Sequence, residues 1–283
     1  MNFGTLYVVA TPIGNLEDIT YRAVRILNQV DVVAAEDTRH TGKLLAFYQI
    51  RKELISCHEH NEDARVPRLI EVLKQGRSIA LVSDAGTPCI SDPGYTIVKA
   101  AVQEGIRVVP LPGACAAVTG LSVSGIATDA FLFSGFLPRK KGKREKALDQ
   151  LKHQTATLIF YESPKRTITL LEQLRAVMGD RPGMVAREIS KIHEEYVRGT
   201  LSEIIAALES KPSVKGECVV FCQGSDGCDT AITEEELDEK IRHALETSGI
   251  KTAPLARTLS EQYRLSRKAV YDRILALKKG RTG

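Results

Sequence analysis

The residues best suited to chemistry lie in the stretch 79–94, which reads IALVSDAGTPCISDPG. Ile79–Val82 is a short apolar run, typical of a strand buried on both faces, and Asp84 lies two residues after its end. Ala85–Pro88 contains no long side chain that would block a ligand. A carboxylate in such a loop suits a ligand with positive charge or sugar hydroxyls, although a tight turn capped by Asp84 is the simpler interpretation.

A second Ser-Asp pair follows within the same stretch, at Ser91-Asp92. With Pro93 and Gly94 behind it, this pair predicts a helix start, with Asp92 as N-cap and Pro93 as the first helical residue. The repetition of Ser-Asp chemistry so close to Asp84 favours a ligand loop over a plain turn. In parallel α/β sheets, ligands bind outside the carboxyl ends of the strands, where this loop would lie.

Strand-like runs alternate with helix-like segments through the first half of the chain, which predicts a parallel sheet. At least four polar or glycine-rich loops follow strands of that sheet and would meet at one of its edges: 11–16, 36–39, 83–88 and 112–116. A second α/β pattern runs from Leu158 to Cys222, and the tail is helical by period.

These patterns predict two α/β domains with parallel-rich sheets and a small C-terminal helical unit. We expect an N-terminal α/β domain over 1–135, a second α/β domain over 136–223, and a linker with a basic helix-turn-helix-like unit over 224–283.

Composition and missing motifs exclude several classes of protein. The chain lacks G-x-G-x-x-G and G-x-x-x-x-G-K-[ST], which argues against nicotinamide or flavin binding and against a nucleoside triphosphatase. Its six cysteines show no paired metal-ligand spacing, so we expect no metal. No apolar run reaches the roughly 20 residues that span a bilayer, and no signal peptide is indicated. We therefore expect a cytoplasmic protein with no membrane partner.

The net charge of +4 is unevenly distributed along the chain. One basic cluster occupies 139–146, and nine Lys or Arg residues follow from Lys251 onward, against two acids. Basic clusters on a near-neutral body indicate a polyanionic partner, although ordinary solvated surface explains either cluster alone equally well.

Six ordered motifs identify a family. The motifs are LYVVATPIGNLED at 6–18, EDTR at 36–39, SDAGTPCISDPG at 83–94, PGA at 112–114, SGFLPR at 134–139 and YESPKR at 161–166. With these motifs in this order, the chain resembles the tetrapyrrole methylase superfamily, and within it the branch that methylates ribosomal RNA, over roughly residues 3–222. Relatives that methylate tetrapyrroles tend to carry Gly-Asp-Pro where this chain has Ser83-Asp84-Ala85, a departure that favours the RNA branch.

The resemblance implies S-adenosylmethionine as methyl donor, bound in a cleft between two α/β domains of a homodimer. It implies as substrate the ribose 2′-oxygen of a cytidine in the decoding centre of 16S ribosomal RNA, presented as free RNA or in the small ribosomal subunit. The implied donor-binding residues are Pro12, Asp84, Ala85, Gly86, Thr87, Ala114, Cys115 and Tyr161, with Arg187, Glu217 and Cys218 closing the pocket from the second domain.

Methyl transfer from a sulfonium needs alignment and removal of one proton. Six residues are candidates for the proton step or its support: Glu36, Asp37, Glu162, Lys165, Glu188 and Lys191. Arg39 and Arg166 would hold phosphates. From these sets we select Glu36, Arg39, Glu162 and Lys165 as catalytic residues. The expected RNA-binding residues are Arg139, Lys140, Lys141, Lys143, Arg144, Arg166, Arg267 and Lys268.

Two alternatives remain open at this point. A methyltransferase of the same superfamily acting on a small molecule or a protein side chain would leave both basic clusters unexplained. A non-catalytic nucleic-acid-binding regulator would bind duplex DNA through a recognition helix near Arg267–Arg273. The basic tail itself would either hold RNA or support dimerisation.

Overall fold

The first sheet of the computed structural model is parallel throughout, and its strand order is β3-β2-β4-β1-β5. The structure describes residues 3–226, 234–247, 251–263 and 265–279. The strands are β1 (Thr5–Val9), β2 (Val32–Ala35), β3 (Glu53–Ser56), β4 (Ile79–Val82) and β5 (Arg107–Leu111). The helices that connect and follow them are α1 (Tyr21–Gln29), α2 (Thr38–Phe47), α3 (Glu62–Lys74), α4 (Tyr95–Gln103) and α5 (Ala116–Ser122).

The short apolar runs become central strands because both of their faces are covered. Every residue of β2 and β4 is buried. Leu81 packs in one hydrophobic cluster with α3 and α4, whereas Ala80 and Val82 pack in another with α1. The strands therefore end together at one edge, and the loops that follow them are held in fixed positions.

The second sheet has the order β6-β7-β10-β8-β9. Its strands are β6 (Phe131–Phe136), β7 (Thr157–Glu162), β8 (Pro182–Arg187), β9 (Glu195–Thr200) and β10 (Cys218–Cys222), with helices α6 (Lys141–Leu151), α7 (Pro164–Met178) and α8 (Leu201–Glu209). Helix α7 begins with Ser163 as N-cap and Pro164 in the first turn, and α8 begins with a capping box between Thr200 and Glu203.

The second sheet departs from a parallel-rich arrangement. Only the β6–β7 pair is parallel, because the connection from β8 to β9 is too short for a helical crossover and β10 enters antiparallel between β7 and β8. The polar segment 188–195 thus leads into β9, an edge strand that the sequence pattern does not predict. The expected class, two α/β halves followed by C-terminal helices, is confirmed.

Contacts within the chain divide it into two compact units. One comprises Met1–Asp149 with Ala156–Gln223, so both sheets belong to it, and the other comprises Gln150–Thr155 with Gly224–Gly283. In the first unit, α5 packs on the second sheet so closely that a Cβ on Gly120 would lie 2.5 Å from Cζ of Phe221.

The C-terminal unit has its own hydrophobic cluster. Helices α9 (Glu234–Thr247), α10 (Thr252–Tyr263) and α11 (Arg267–Lys279) bury residues such as Ile241, Ala256 and Ile274. The Arg273 guanidinium donates to Asp238 at 2.7 and 3.0 Å, which ties α11 to α9. The predicted linker after 223 lies largely outside the described residues.

Candidate functional site

Loops after β1 and β4 pair with each other at the carboxyl edge of the first sheet. The backbone N–H of Thr11 donates to the Gly86 carbonyl at 2.9 Å, and the N–H of Gly86 donates back at 3.0 Å. The Thr11 hydroxyl donates to the Ser83 carbonyl at 3.0 Å. Two of the predicted loops are therefore one hydrogen-bonded unit, with Gly86 at its centre.

Gly86 adopts a left-handed conformation, with φ +83°, which an L side chain rarely adopts. A Cβ built there would lie 3.3 Å from Cγ2 of Ile13. Next to it, the Thr87 hydroxyl donates to the Ala114 carbonyl at 3.1 Å. This bond joins the loop after β5 to the other two, in agreement with the prediction that loops after parallel strands meet at one edge of the sheet.

These loops and the second sheet enclose a first cavity of about 370 Å³. Its wall contains most of the residues assigned by resemblance to the methyl donor: Ala85, Gly86, Thr87, Cys115, Tyr161, Glu217 and Cys218. The Tyr161 hydroxyl accepts the Ala117 N–H at 3.2 Å, and its ring meets Phe133 and Phe136 edge-on at 4.9 and 5.7 Å. Burial raises the pKa of Tyr161, so this group is a neutral wall residue.

Asp92 also lines the first cavity, although the sequence predicts it as a helix cap. Helix α4 instead begins at Tyr95, after Gly94 with φ +123°. The Asp92 carboxylate lies within hydrogen-bonding reach of the Ser83 hydroxyl. Burial first, and then the Glu36 carboxylate, raise the pKa of Asp92 to about 7.

The acids around Asp92 come from three different segments. Glu36 follows β2, Asp84 follows β4 and Glu217 precedes β10, and each of them further disfavours the charged form of Asp92. In the described part of the chain Asp92 forms no ion pair. The cavity therefore holds a carboxyl group that lacks a cationic partner, and a cationic ligand would supply one.

Glu36 is hydrogen-bonded to the loop that carries Asp84. Its carboxylate accepts the Asp84 N–H at 3.3 Å, while the Asp84 carboxylate accepts the Asp37 N–H at 3.1 Å. Burial raises the pKa of Glu36. Asp37 in turn caps α2 by accepting the Arg39 N–H at 2.8 Å, and the Arg39 guanidinium, through its hydrogen bonds, lowers the pKa of Asp37. This chain of contacts ties the start of α2 to the loop after β4.

Glu162 lines the first cavity from the second sheet and is almost fully buried, at 2% exposure. It accepts from Arg144 at 3.1 Å, forms an ion pair with Arg166 and accepts the Ser163 N–H at 2.7 Å. The structure corrects the prediction for Arg144, which is 5% exposed. Its guanidinium is committed to Glu162, Gln173 and the Pro138 carbonyl, so it does not belong to the exposed basic surface.

A second cavity of about 560 Å³ adjoins the first, since Ile13, Ala85 and Glu217 line both. Pro12 and Asp84 line only this second cavity, together with residues of α2. Lys191 forms part of its wall and pairs with Glu188 at 2.9 Å and with Glu217 at 3.2 Å. The candidates Glu188 and Lys191 are thus partners of each other.

Several candidates lie outside both cavity walls. Arg187 pairs with Glu195 at 2.8 Å and donates to the Lys215 carbonyl at 3.0 Å. Arg39 is exposed and pairs with Asp37 at 2.7 Å. The remaining exposed candidate cations are Arg139, Lys140, Lys141, Lys143, Lys165, Arg267 and Lys268.

Two features of the site are missed by the sequence patterns. Asp92 is assigned as a cap because Asp-Pro before a helix is the usual signal for one. The face of α2 formed by His40, Lys43, Leu44 and Phe47 follows the i, i+3, i+4, i+7 spacing, which could have been found by periodicity. Within the described ranges, no group of three or more His, Cys, Asp or Glu side chains could hold a metal ion, and no helix is long and apolar enough to cross a membrane.

Known proteins resemble this chain in both sequence and structure. The profile of the family described as Tetrapyrrole (Corrin/Porphyrin) Methylases matches residues 5–205. The chain is 52% identical to ribosomal RNA small subunit methyltransferase I of Halalkalibacterium halodurans over 222 residues, which is 78% of this chain and 76% of that relative. It is 44% identical to the protein of the same name from Streptococcus pyogenes serotype M1, over 95% of this chain and 94% of that relative. Among solved structures, uroporphyrin-III C-methyltransferase from Thermus thermophilus complexed with S-adenyl homocysteine superposes with a TM-score of 0.56 at 19% identity, over 77% of this chain and 97% of that chain.

Proposed function

Because the chain belongs to the tetrapyrrole methylase family, we propose that it transfers a methyl group from S-adenosylmethionine to small-subunit ribosomal RNA. The observation that carries this proposal is the first cavity, whose wall unites small-residue loops with an unpaired carboxyl group. Relatives named for ribosomal RNA match nearly the whole chain, which supports RNA as the substrate class.

The residues of the first cavity fit such a donor. A volume of about 370 Å³ is within the usual range for a small-molecule site. When bound, S-adenosylmethionine supplies a methyl group on positively charged sulfur, which is already an activated leaving group. Asp92 would face that charge, and Gly86 lets the loop backbone approach closely. Ala85, Thr87, Cys115, Tyr161, Glu217 and Cys218 would hold the donor from the wall of this cavity. The resemblance adds Pro12 and Asp84, which line the second cavity, and Ala114 and Arg187, which line neither.

For the chemical step, this chain must align two reactants and help remove a proton. We assign Glu36 to support of proton removal, because its carboxylate holds the Asp84 backbone and its pKa is raised by burial. Glu162 is a positioning residue that acts through Arg166, while its pair with the buried Arg144 stabilises the fold. Arg39 and Lys165, both exposed, would contact phosphates.

As the methyl acceptor we assign the ribose 2′-oxygen of a cytidine in the decoding centre of 16S ribosomal RNA. The enzyme would act as a homodimer. The assignment rests on the order of the six sequence motifs and on the departure at Ser83-Asp84-Ala85 from the tetrapyrrole branch. The exposed cations at 139–143 and at Arg267 and Lys268, together with Arg166, would contact the RNA backbone.

The test is transfer of a tritiated methyl group to small ribosomal subunits that were purified from cells lacking this protein. We expect one methyl group per subunit, at a single cytidine ribose. Free 16S RNA, duplex DNA and a tetrapyrrole serve as alternative acceptors. Transfer to the tetrapyrrole alone, or to none of the acceptors, would overturn the proposal.

A further inference from the structure

The second cavity has a volume and a lining that the methyl donor alone does not explain. It has a volume of about 560 Å³ and meets the first cavity at Ile13, Ala85 and Glu217. Methyl transfer needs the acceptor atom within about 3–3.5 Å of the methyl carbon, so the acceptor must enter a space that opens onto the donor. The second cavity meets this requirement.

One face of α2 lines this cavity with a particular combination of groups. His40, Lys43 and Phe47 follow the i, i+3, i+7 spacing and lie on one side of the helix. The Phe47 side chain is 61% exposed, an unusual environment for a phenylalanine, and its ring meets Tyr48 edge-on at 5.0 Å. Within the described residues Lys43 forms no ion pair, whereas Lys191 across the cavity is already paired with Glu188 and Glu217.

An exposed aromatic ring beside unpaired basic side chains is the combination that binds unstacked nucleotides, through base stacking and phosphate contacts. Resting on the proposed function, we infer that the second cavity receives one unpaired nucleotide of the RNA. Its base stacks on Phe47, its phosphate lies against His40 and Lys43, and its ribose faces the junction of the two cavities.

The position of α2 would then depend on the loop that borders both cavities. The Asp84 carboxylate accepts the N–H of Asp37, the residue that caps α2. The helix that carries the base platform is therefore hydrogen-bonded to the loop beside the donor. Asp84 lines the second cavity itself, next to Ala85 at the junction.

The experiment compares two variants with two matched controls. Phe47→Ala removes the stacking ring and Lys43→Gln removes one positive charge from the cavity. Tyr21→Ala removes an aromatic ring that is 98% exposed, and Lys99→Gln removes an exposed charge on α4; neither residue lines the cavity. For each full-length protein, we would measure S-adenosylmethionine binding by calorimetry, binding of small subunits at several salt concentrations, and kcat and KM for methyl transfer.

We expect Phe47→Ala to lower kcat/KM for subunits about 5- to 150-fold, the range for loss of one stacked base, with donor affinity unchanged. Lys43→Gln should reduce the slope of log affinity against log salt by about 0.7, the contribution of one phosphate contact. Tyr21→Ala and Lys99→Gln should match the wild type.

A second measurement does not depend on activity. RNA carrying 5-iodocytidine, irradiated in complex with the wild-type protein, should crosslink to the α2 peptide that contains Phe47. Crosslinks confined to other peptides, unchanged kinetics in both variants, or loss of donor binding in Phe47→Ala would each overturn the nucleotide site. Failure of the wild-type protein to methylate any RNA would instead overturn the proposed function, so the two failures are distinguishable.

Discussion

Two of the carboxylates that line the first cavity lie under opposite electrostatic conditions. Glu162, at the end of β7, is almost fully buried and is paired with both Arg144 and Arg166. Asp92, in the loop before α4, is half-buried, and the charged groups that act on it most are the acids Glu36, Asp84 and Glu217. The fold supplies the positive partners of Glu162, whereas Asp92 has no ion-pair partner among the residues that the structure describes.

This difference separates a carboxylate that serves the structure from one that serves a ligand. A buried charge is tolerated when it is paired, and removal of its partner is then costly. A carboxyl with a raised pKa in a cavity is instead destabilised in its charged form until a cation arrives. We therefore expect substitutions at the two positions to act on different quantities, folding at Glu162 and ligand binding at Asp92.

The largest effect is expected for Glu162→Gln. The substitution leaves the 5% exposed Arg144 guanidinium without a counter-charge, and breaking a buried ion pair costs about 3–5 kcal/mol. Urea denaturation should register a loss of that size in the free energy of unfolding. Glu145→Gln, which removes the exposed partner of Lys141, is the matched control and should cost less than about 1 kcal/mol. Equal losses in the two variants would contradict a structural role for Glu162.

Gly86→Ala should affect both folding and ligand binding. A left-handed alanine costs about 1–2 kcal/mol, and the added methyl also meets Ile13 at the wall of both cavities. Gly105→Ala is the control, because Gly105 has φ +67° and no atom within 4 Å of an added Cβ. Both variants should lose stability, and Gly86→Ala at least as much as Gly105→Ala because of the contact with Ile13. Only Gly86→Ala should weaken S-adenosylmethionine binding, by about tenfold or more, which corresponds to about 1.4 kcal/mol or more of binding free energy. Calorimetry on the folded proteins would check this, and equal donor affinities would reduce Gly86 to a turn residue.

Asp92→Asn should remove a pH dependence. The donor-free wild type is protonated at Asp92 below pH 7, so a cationic ligand must displace that proton. Affinity for S-adenosylmethionine should therefore rise about tenfold between pH 6 and pH 8, as ionisation of a group with that pKa requires. Asp92→Asn should bind weakly at both pH values with a flat profile. A wild-type affinity that falls over this interval would contradict the assignment.

The same raised pKa predicts the opposite trend for stability without ligand. Because the folded-state pKa of Asp92 is higher than its ordinary value near 4, the folded donor-free protein binds more protons than the unfolded chain between about pH 4 and pH 7. The contribution of Asp92 to stability is thus full below that interval and is lost as pH rises through 7. Subtracting the Asp92→Asn denaturation profile from that of the wild type isolates this contribution, and a difference that rises with pH would contradict it.

The smallest effect is expected in the C-terminal unit. Replacing Arg267 and Lys268 by Gln should reduce the salt slope of RNA binding by up to about 1.4, if each makes one contact with single-stranded RNA. Donor binding should not change. Arg22→Gln combined with Arg68→Gln, two exposed charges elsewhere, is the control. An unchanged slope together with a loss of dimer in sedimentation would assign this part of the tail to assembly.

The elements and loops of the first sheet follow from local patterns in the sequence. Each buried apolar run ends at a small or polar residue, and the carboxyl ends of parallel strands meet at one edge, so loops 11–16 and 83–88 are predicted together. The Thr11–Gly86 hydrogen bonds agree with that inference. The edge strand β9 is not predicted, because it is polar and half-exposed and carries no apolar run.

The charges at the site could not be predicted in the same way, because their partners are distant along the chain. Arg144 lies in a basic run that is typical of an exposed surface, but it pairs with Glu162, 18 residues away. Asp92 precedes a proline near a helix, which is the pattern of a cap, yet its carboxyl group lies in the cavity beside Asp84 of its own loop and beside Glu36 and Glu217 from two distant segments. Such environments are produced by tertiary packing and leave no periodic signal.

The most direct test of this account is the number of protons released when ligand binds at pH 7. Calorimetry in buffers of different ionisation enthalpy gives that number for S-adenosylmethionine and for S-adenosylhomocysteine, which lacks the positive charge on sulfur. A carboxyl with a pKa of about 7 is half protonated at this pH, so we predict release of about half a proton with S-adenosylmethionine, almost none with S-adenosylhomocysteine, and none with either ligand in Asp92→Asn. Equal proton release for the two ligands in the wild type would contradict the claim that Asp92 is held for the cationic donor.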